Sequence, residues 1–446
     1  MLLFIVMITS FIVPFMTSAL NLSVPTIGLE LNCSAAASSW IVSVYLLISA
    51  AFLLPFGRLS DIIGQKKIYL IGILLTSVFS LLCGLSWSLA SLLLFRLGQG
   101  LASAMIFSPG VAIITAVYPA QQRGKMLGLT ITAVYLGLAL GPVIGGFINY
   151  HYGWRCIFWL TSLVVILIFL LGLKYLKEEW ISAPNEKLDY SGSILYILAI
   201  SLVLYGFSAI STSSLAKYLL LAGLILLIIF AKRQMKQQQP LLDINLCRSN
   251  LVFTLSNLSA MINYSATFGI VFLLSLFLQI IKQINSQTAG LILLIIPAVM
   301  IICAPLSGVL SDRIEARILS SLGMFFSLAA LFLLIFLSPD TSIKQLIIIM
   351  ILIGIGTGIF TTPNTNAIMS SVPLKYSGVA SSTMSTMRLI GQAVSMAVVT
   401  LLLSFYEKNL PVNENILPAI RTSAVIFSFL CCLGIFTSIF RGKSLS

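Results

Sequence analysis

The sequence predicts an all-α membrane protein of fourteen spanning helices, arranged as two six-helix halves with two extra central helices. Three observations support this fold class: the composition, a succession of apolar segments, and a repeat within the chain. Of the 446 residues, 59% are hydrophobic and only 8% are charged, whereas soluble domains carry about 25% charged residues. Because folding alone cannot hide so much apolar surface from water, we place the chain in a lipid bilayer.

Apolar segments that are long enough to cross a bilayer, which takes about 20 residues, follow one another along the chain. Short loops that contain charged residues separate many of these segments. We expect their boundaries to be accurate within a few residues. The fourteen predicted helices, numbered in chain order, are 2–27, 39–58, 68–88, 91–118, 126–150, 154–177, 190–211, 215–231, 250–279, 287–311, 318–338, 343–371, 378–405 and 420–440.

The net charge of +13 does not indicate a nucleic-acid partner, because the basic residues lie mainly in short loops between apolar segments. Cytoplasmic loops of membrane proteins are enriched in Lys and Arg. If the first predicted helix begins in the cytoplasm, most of the 25 basic residues fall in cytoplasmic loops. The charge pattern therefore predicts a multi-pass protein of the cell membrane with both termini in the cytoplasm.

Two parts of the chain repeat each other at a nearly constant offset. Pro109 returns as Pro363, 254 positions later, and the segment 57–61 returns as 308–312, 251 positions later. A constant offset predicts two homologous halves of six helices each. The predicted units are an N-terminal half at 1–177, two inserted helices with flanking loops at 178–248, and a C-terminal half at 249–446.

Glycine and proline form the pattern G-x8-G-x3-G-P-x2-G-G inside the fifth predicted helix. Glycines three or four positions apart share one helical face and let another helix approach closely, while proline bends the helix. The pattern resembles the antiporter motif of the major facilitator superfamily, which implies an exporter; an ordinary close-packed helix pair is the alternative. The positions are Gly128, Gly137, Gly141, Pro142, Gly145 and Gly146.

The loop after the second predicted helix reads GRLSDIIGQKK and resembles the GxLaDrxGrkx signature of the same superfamily. A tight turn favours glycine, and an acid can accept hydrogen bonds from a helix N-terminus or an arginine. The resemblance implies contacts across the halves that hold the outward-facing state; a merely solvated basic loop is the alternative. The positions are Gly57, Arg58, Asp61, Gly64, Lys66 and Lys67, with a weaker copy at Gly308, Asp312, Arg313 and Arg317.

Arg96 and Arg388 lie inside predicted helices, where a charge costs about 2.5–3.5 kcal/mol on insertion scales. The segment RLGQG around Arg96 resembles the RxxqG signature of the superfamily, which implies a role in proton movement. Bonding of this guanidinium to carbonyl groups of helix 1 is equally consistent with the sequence. Arg388 is either a cation that faces substrate or a lock between helix 13 and a neighbour, and we favour the lock.

Carboxylates are missing where proton coupling would need them. Fourteen-helix drug:proton antiporters, which this chain resembles, usually carry an acid in an LDxTxVNVALP segment of helix 1, but Met16 stands at that position. None of the 12 acidic residues lies clearly inside a predicted helix, and arginine does not deprotonate in proteins. Glu30, near the outer end of helix 1, and Asp61 are the candidates that remain. Glu30 is therefore a possible proton site, and proton coupling stays open.

The resemblance implies that substrate binds between the halves, in a cavity lined by helices 1, 2, 4 and 5 and by helices 9, 10, 12 and 13. Amide, hydroxyl and aromatic side chains there suit neutral or amphipathic molecules, and the two arginines leave room for an anion. Each of these residues, taken alone, is also typical of helix packing. The candidates are Asn21, Tyr45, Gln99, Phe107, Tyr135, Asn257, Asn263, Tyr264, Thr361, Asn364 and Gln392.

The resemblance covers nearly the whole chain and implies a monomeric secondary transporter that exports lipophilic or drug-like small molecules by alternating access. Exchange for protons, uniport or import of a metabolite or organic anion, and a non-transporting membrane scaffold are the alternatives. The chain has one histidine and shows no nucleophile–base pair, phosphate-binding loop or metal-ligand pattern. We therefore expect no enzyme activity, no metal and no cofactor.

Overall fold

The computed structural model describes residues 1–118, 120–183, 186–211, 213–237, 239–242, 248–311, 313–372, 377–409 and 414–442. Fourteen helices in this part of the chain are long and apolar enough to span a membrane, which confirms the predicted fold class. They are α1 Leu2–Glu30, α2 Ala35–Ile63, α3 Gln65–Gly84, α4 Leu89–Val117, α5 Ala120–Tyr152, α6 Trp154–Tyr175, α7 Tyr190–Ser208, α8 Leu215–Gln234, α9 Leu251–Leu276 with a π-helical extension Phe277–Ile281, α10 in two segments Ser286–Leu293 and Ile295–Ser311, α11 Ala316–Ile335, α12 Ile343–Ser370, α13 Ser377–Asn409 and α14 Ile416–Phe440.

Serine residues cap several helices at the point where each apolar segment begins. The Ser34 hydroxyl accepts a hydrogen bond from the Ala37 N–H at 3.1 Å and starts α2. Ser88 and Ser342 start α4 and α12 in the same way, each within a capping box. A capping side chain satisfies one of the N–H groups that the first helical turn leaves without a partner. Ser34 therefore starts α2 earlier than the predicted boundary at residue 39.

The same helix pairs pack in both six-helix groups. In the first group α1 packs against α5, α2 and α3 against α4, and α3 against α6. In the second group α9 packs against α13, α10 and α11 against α12, and α11 against α14. Each pair of the second group lies eight helices after its counterpart, as a repeat of six helices with two inserted helices requires.

Helices α7 and α8 form a hairpin at the seam between the two groups. Gly206 of α7 and Gly223 of α8 lie directly against the backbone of the other helix, so the pair packs closely. Helix α7 contacts α2 and α13, one helix from each group. The Tyr196 hydroxyl donates to the Ala50 carbonyl of α2 at 3.3 Å. The inserted hairpin therefore covers one seam of the molecule.

Asp189 caps α7 and ties its start to the end of α8. Its carboxylate accepts the Gly192 N–H at 2.9 Å, the Arg233 guanidinium at 3.2 Å and the Gln234 amide at 3.1 Å. Burial by itself would raise the pKa of Asp189, but these hydrogen bonds hold its pKa below the ordinary value because they favour the charged form. The cap therefore holds the start of α7 against the end of α8.

Because fourteen helices cross the membrane, both ends of the chain lie on one side, which we call the terminal side. The other is the opposite side, where α1 ends and α2 begins. Large apolar side chains cover the outer faces of peripheral helices. Examples are Leu167 and Leu170 on α6 and Ile228 on α8, each of which is more than half exposed. Such surfaces suit contact with lipid chains.

Candidate functional site

A cavity lies between the two halves and holds about 1070 Å³ of empty space, counting the part that opens to solvent. Side chains from α1, α2, α4, α5, α9, α10, α12 and α13 line it, and these are the helices that the sequence predicts. Its wall combines aliphatic side chains with aromatic rings and neutral polar groups. The predicted candidates that line the cavity are Tyr45, Phe107, Tyr135, Tyr264, Thr361, Asn364 and Gln392, together with Arg388.

Some predicted candidates are buried in the helices around the cavity and do not line it. The backbone carbonyl of Asn21 accepts the Ser275 hydroxyl at 2.7 Å, at the contact between α1 and α9. The Gln99 amide donates to the Ser80 hydroxyl at 2.8 Å, between α4 and α3. An amide on a spanning helix serves helix packing as readily as substrate binding. The residue type alone therefore does not show whether its side chain lines the cavity. The residues that do not line the cavity, contrary to expectation, are Asn21, Gln99, Asn257 and Asn263.

Arg388 of α13 projects into the cavity. Its guanidinium carbon lies 5.8 Å from the centre of the Phe107 ring on α4. Its Nε is buried and has no hydrogen-bond partner. The ion pairs among the described residues involve other arginines. The structure therefore does not support the favoured role of a lock between helices, since Arg388 lies on the wall of the site.

Arg96 of α4 is buried and held by its neighbours. Its Nε donates to the Ile41 carbonyl at 2.9 Å and its Nη1 to the Gln99 amide oxygen at 2.8 Å, while Nη2 has no partner. The guanidinium lies 4.3 Å from the centre of the Tyr45 ring. The predicted carbonyl partner exists, but it belongs to α2 and not to helix 1. The Tyr45 ring, which lines the cavity, lies beside this cation.

The glycines of the α5 motif bring α5 against α1. A Cβ atom on Gly141 would lie 2.7 Å from the Ser18 Cβ, which is too close for any side chain. Gly145 lies in the same way against Ala19, and Gly137 also faces α1. Only glycine allows this backbone approach along the whole contact. The surroundings of Gly128 lie outside the described residues.

The far end of the motif reaches the other half of the molecule. A Cβ atom on Gly146 would lie 2.5 Å from the Ser286 carbonyl of α10, and the Ser286 hydroxyl donates to the Gly146 carbonyl at 3.3 Å. Gly290 of α10 lies against the Pro142 carbonyl. The motif therefore joins the two halves at the opposite side of the membrane, besides joining α1 to α5.

The loop between α2 and α3 contacts the linker that precedes α7. Gly64 ends α2 with φ 131°, a conformation that favours glycine, as predicted for a tight turn. The backbone carbonyl of Asp61 accepts the N–H groups of Ser182 at 3.1 Å and Ala183 at 2.9 Å, and its carboxylate accepts the Gln65 amide at 3.2 Å. These described contacts of Asp61 stay within the N-terminal half and the linker.

Charged groups strengthen the contact between this loop and the linker. Arg58 forms an ion pair with Glu186. The backbone N–H groups of Lys66 and Lys67 donate to the Glu179 carboxylate at 2.9 and 3.4 Å. At the start of the loop Gly57 lies against Ser108 of α4. The linker, and not the other half, holds the loop in this conformation.

The C-terminal copy of the loop is less elaborate. Arg317 pairs with Glu315 at 2.5 Å, and Arg313 is exposed. Gly308 lies close to Thr362 of α12, whose methyl carbon would lie 3.2 Å from an added Cβ. Asp312 lies outside the described residues. The copy therefore repeats the turn with fewer described contacts than the first loop.

Glu30 lies at the opposite side of the membrane and away from the cavity. Its carboxylate accepts the Trp154 indole N–H at 2.6 Å and forms an ion pair with Arg155. Its side chain is about half exposed. The contacts attach the end of α1 to the start of α6. The structure does not bring this possible proton site into the cavity wall.

The two halves are joined by hydrogen bonds near the opposite side. The Thr400 hydroxyl of α13 lies 2.9 Å from Ser39 and 3.0 Å from Ser43 of α2. The Gln279 amide of α9 donates to the Leu22 carbonyl at 2.9 Å. The Ser286 hydroxyl of α10 adds another such contact, since it donates to the Gly146 carbonyl at 3.3 Å. The cavity wall extends along α12 and α13 toward the terminal side.

Two six-helix halves around a central cavity form a fold that is known from a large group of transporters. The sequence profile of the Major Facilitator Superfamily matches residues 6–396. The chain belongs to the major facilitator superfamily. Like other members of the superfamily, this chain is therefore a transporter embedded in a membrane.

Several members of the superfamily are similar over most of this chain. The riboflavin transporter RibZ of Clostridioides difficile is 29% identical and spans 95% of this chain and 93% of its own length. The multidrug resistance protein Stp of Mycobacterium tuberculosis is 28% identical, over 85% of this chain and 71% of its own. A bacterial homolog of the human lysosomal transporter Spinster, in an inward-facing conformation, has a TM-score of 0.70 at 16% identity and covers 99% of this chain and 96% of its own. The last similarity supports the fold alone.

Sequence reasoning missed part of the cavity and one buried cation. Apolar residues such as Phe268 and Phe360 line the wall, but they are indistinguishable from lipid-facing residues in sequence. Arg441, at the end of α14, is 1% exposed and donates to the Asn364 amide oxygen at 2.7 Å. Since it follows an apolar segment, the sequence places it in a loop. The signal in the sequence that could have indicated a buried Arg441 is the presence of small polar residues on α9 and α11, such as Ser256, which accepts a hydrogen bond from it.

Proposed function

We propose that this protein exports lipophilic or drug-like small molecules from a prokaryotic cell by alternating access, with both termini in the cytoplasm. The observation that supports the proposal most directly is the aromatic cavity between the halves, closed at the opposite side and extending toward the terminal side. Transport by the fold requires that the same cavity open to each side in turn. The glycine motif of α5 supports the exporting direction.

Transport without proton exchange is the second candidate. It is favoured by a specific observation: within the described chain no carboxylate lines the cavity. Glu30, the possible proton site, is engaged with Arg155 at the opposite side. A coupled antiporter needs a group that binds and releases protons from both sides, and arginine cannot serve. A uniporter or importer of a metabolite or organic anion needs no such group.

Transport in proteoliposomes that contain a pH-sensitive dye tests both candidates. A panel of lipophilic drugs and metabolites is applied to wild type and Glu30→Gln, with Arg248→Gln as a control that removes an exposed charge. Proton flux that follows substrate and disappears in Glu30→Gln supports antiport. Substrate movement without proton flux supports the second candidate. Failure of every compound to move, with correctly inserted protein, contradicts the proposed function.

A further inference from the structure

Arg388 brings an unbalanced positive charge to the cavity. The buried Nε has no hydrogen-bond partner, although each N–H of a guanidinium is a strong donor. The ion pairs of the described residues belong to Arg58, Arg155, Arg233 and Arg317, all near the ends of helices. A cation inside the membrane is costly unless it is paired or faces a water-filled cavity. Arg388 therefore has capacity to bind a group that the chain itself does not supply.

None of the described acidic residues lines the cavity, and Arg388 is the one charged residue among the described residues of its wall. They lie in loops or at helix ends, and the two remaining acids, Asp243 and Asp312, fall outside the predicted helices. The described acids are Glu30, Asp61, Glu178, Glu179, Glu186, Asp189, Glu315, Asp340, Glu407 and Glu414.

Flat aromatic surfaces surround this charge. The Phe107 ring lies beside the Arg388 guanidinium, and the Tyr135 and Tyr264 rings belong to the same wall. Tyr45 also lines the cavity and lies between it and the second buried cation, Arg96. The two arginines make the electrostatic potential of the site positive, since no described carboxylate offsets them. Aromatic walls with one unpaired cation suit a flat molecule with one negative charge.

We propose that Arg388 recognises an organic anion with an aromatic body and one acidic group. The guanidinium would bind a carboxylate through two parallel hydrogen bonds, its preferred geometry, while the rings of the molecule pack against Phe107 and the tyrosines. The inference rests on the proposed transport function and names its substrate class. The same geometry disfavours organic cations, which the positive potential of the cavity repels.

Three probes that share one ring system test this inference: naphthalene-2-carboxylate, naphthalene-2-carboxamide and 2-naphthylmethylamine, with charges of −1, 0 and +1. Binding is measured with purified protein in detergent. We expect the carboxylate to bind wild type about tenfold or more tighter than the amide, the range of one charge-assisted hydrogen bond. Arg388→Gln should remove this preference, and Arg388→Lys should keep part of it, because lysine keeps the charge without the planar fork. Arg388→Glu should favour the amine.

Arg248→Gln, which removes an exposed charge outside the cavity, is the matched control and should bind all three probes as wild type does. Equal binding of carboxylate and amide by wild type, or an unchanged preference in Arg388→Gln, would overturn the inference. If Arg388→Gln does not fold, the probe series on wild type and Arg388→Lys decides the question. In that case, tighter binding of the amide or the amine than of the carboxylate by the wild-type protein also overturns the inference.

Transport of the same probes in proteoliposomes separates this inference from the proposed function. Movement of the amide and the amine without movement of the carboxylate leaves the transport function standing and overturns the anion site. Tight binding of the carboxylate without movement of any probe contradicts the transport function and leaves the anion site standing. Arg388-dependent movement of the carboxylate supports both.

Discussion

Two arginines inside the membrane have different roles because their side chains leave their helices in different directions. Arg96 donates from Nε to the carbonyl of Ile41 and from Nη1 to Gln99, so two of its three nitrogen atoms are bonded to the protein. Arg388 lines the cavity with its Nε unpartnered. One residue along a helix turns the side chain by roughly 100°. The sequence identifies both charges, but it does not say which helix face meets the cavity.

Arg96→Lys is expected to destabilise the protein without a specific effect on pH dependence. A lysine keeps the charge but loses the planar guanidinium group that donates to Ile41 and Gln99 at the same time. Hydrogen bonds of charged groups contribute about 1.5–3 kcal/mol each to stability. Thermal unfolding in detergent should show a clear loss, whereas Arg388→Lys should unfold close to wild type. A changed pH profile of transport at unchanged stability would instead indicate a role of Arg96 in proton movement.

At the scale of helices, the sequence predicts number and position well because the bilayer fixes the length of each apolar segment. Irregularities inside the helices depend on tertiary contacts and were not predicted. Helix α9 ends in the π-helical turn Phe277–Ile281 and α10 divides at Leu294. Both lie where α9 and α10 meet the N-terminal half, near the Gln279 contact to Leu22. Contacts between the halves of this kind leave no local pattern in the sequence.

Alanine at two glycines should give opposite results, because the two positions differ in the space around them. A Cβ on Gly141 would lie 2.7 Å from the Ser18 Cβ and 2.9 Å from the Phe15 carbonyl, whereas on Gly110 it would lie 3.6 Å from the Tyr69 ring. We expect Gly141→Ala to destabilise by about 1–3 kcal/mol through overpacking. Gly110→Ala should be neutral or stabilise by about 0.5–1 kcal/mol, since alanine favours a helix.

Thermal unfolding and transport of both variants measure this difference. The larger change Gly141→Leu should abolish transport while leaving membrane insertion intact, because the fault lies in the α1–α5 contact and not in hydropathy. Similar unfolding temperatures for the two alanine variants, or normal transport by Gly141→Leu, would contradict close packing as the purpose of the motif.

At the scale of the whole molecule, the resemblance to the superfamily implies which helices surround the cavity, and the structure agrees. The repeat does not predict which residues of those helices face inward. Asn263, for example, is fully buried without lining the cavity, whereas Asn364 lines it. Asn364 is held by Arg441, a partner on another helix more than seventy residues later in the chain. Long-range contacts of this kind fix the site and leave no local signal.

Asp61→Asn is expected to slow turnover about tenfold while leaving substrate affinity unchanged. In this conformation an asparagine oxygen can still accept the Gln65 amide, and the Asp61 backbone still binds Ser182 and Ala183. We therefore expect the charge to matter most in the state that closes the terminal side, where one charge-assisted bond contributes about 1.5–3 kcal/mol. Transport rate and equilibrium binding measure the two effects, with Glu186→Gln as a control on the linker. Unchanged turnover would mean that the loop is only a solvated turn.

Thr400→Val is expected to shift the whole molecule away from the conformation that is closed at the opposite side. The Thr400 hydroxyl is fully buried and lies within hydrogen-bond distance of both Ser39 and Ser43. Valine keeps the shape but breaks the hydroxyl bridge between α2 and α13. Net contributions of about 0.5–1.5 kcal/mol for each bond amount to a change in the conformational equilibrium of roughly five- to hundredfold.

Pulsed electron–electron double resonance between spin labels on the two halves measures this change in the conformational equilibrium. Leu29→Cys and Leu291→Cys place the labels at exposed positions near the opposite side, in a background without the seven native cysteines. The control is Thr386→Val on the same helix, where the hydroxyl donates only to the Ser382 carbonyl of α13. We expect a population at longer distance in Thr400→Val and none in Thr386→Val. Identical distance distributions would show that the glycine contacts of Gly146 and Gly290, and not the hydroxyl bridge, hold the opposite side closed.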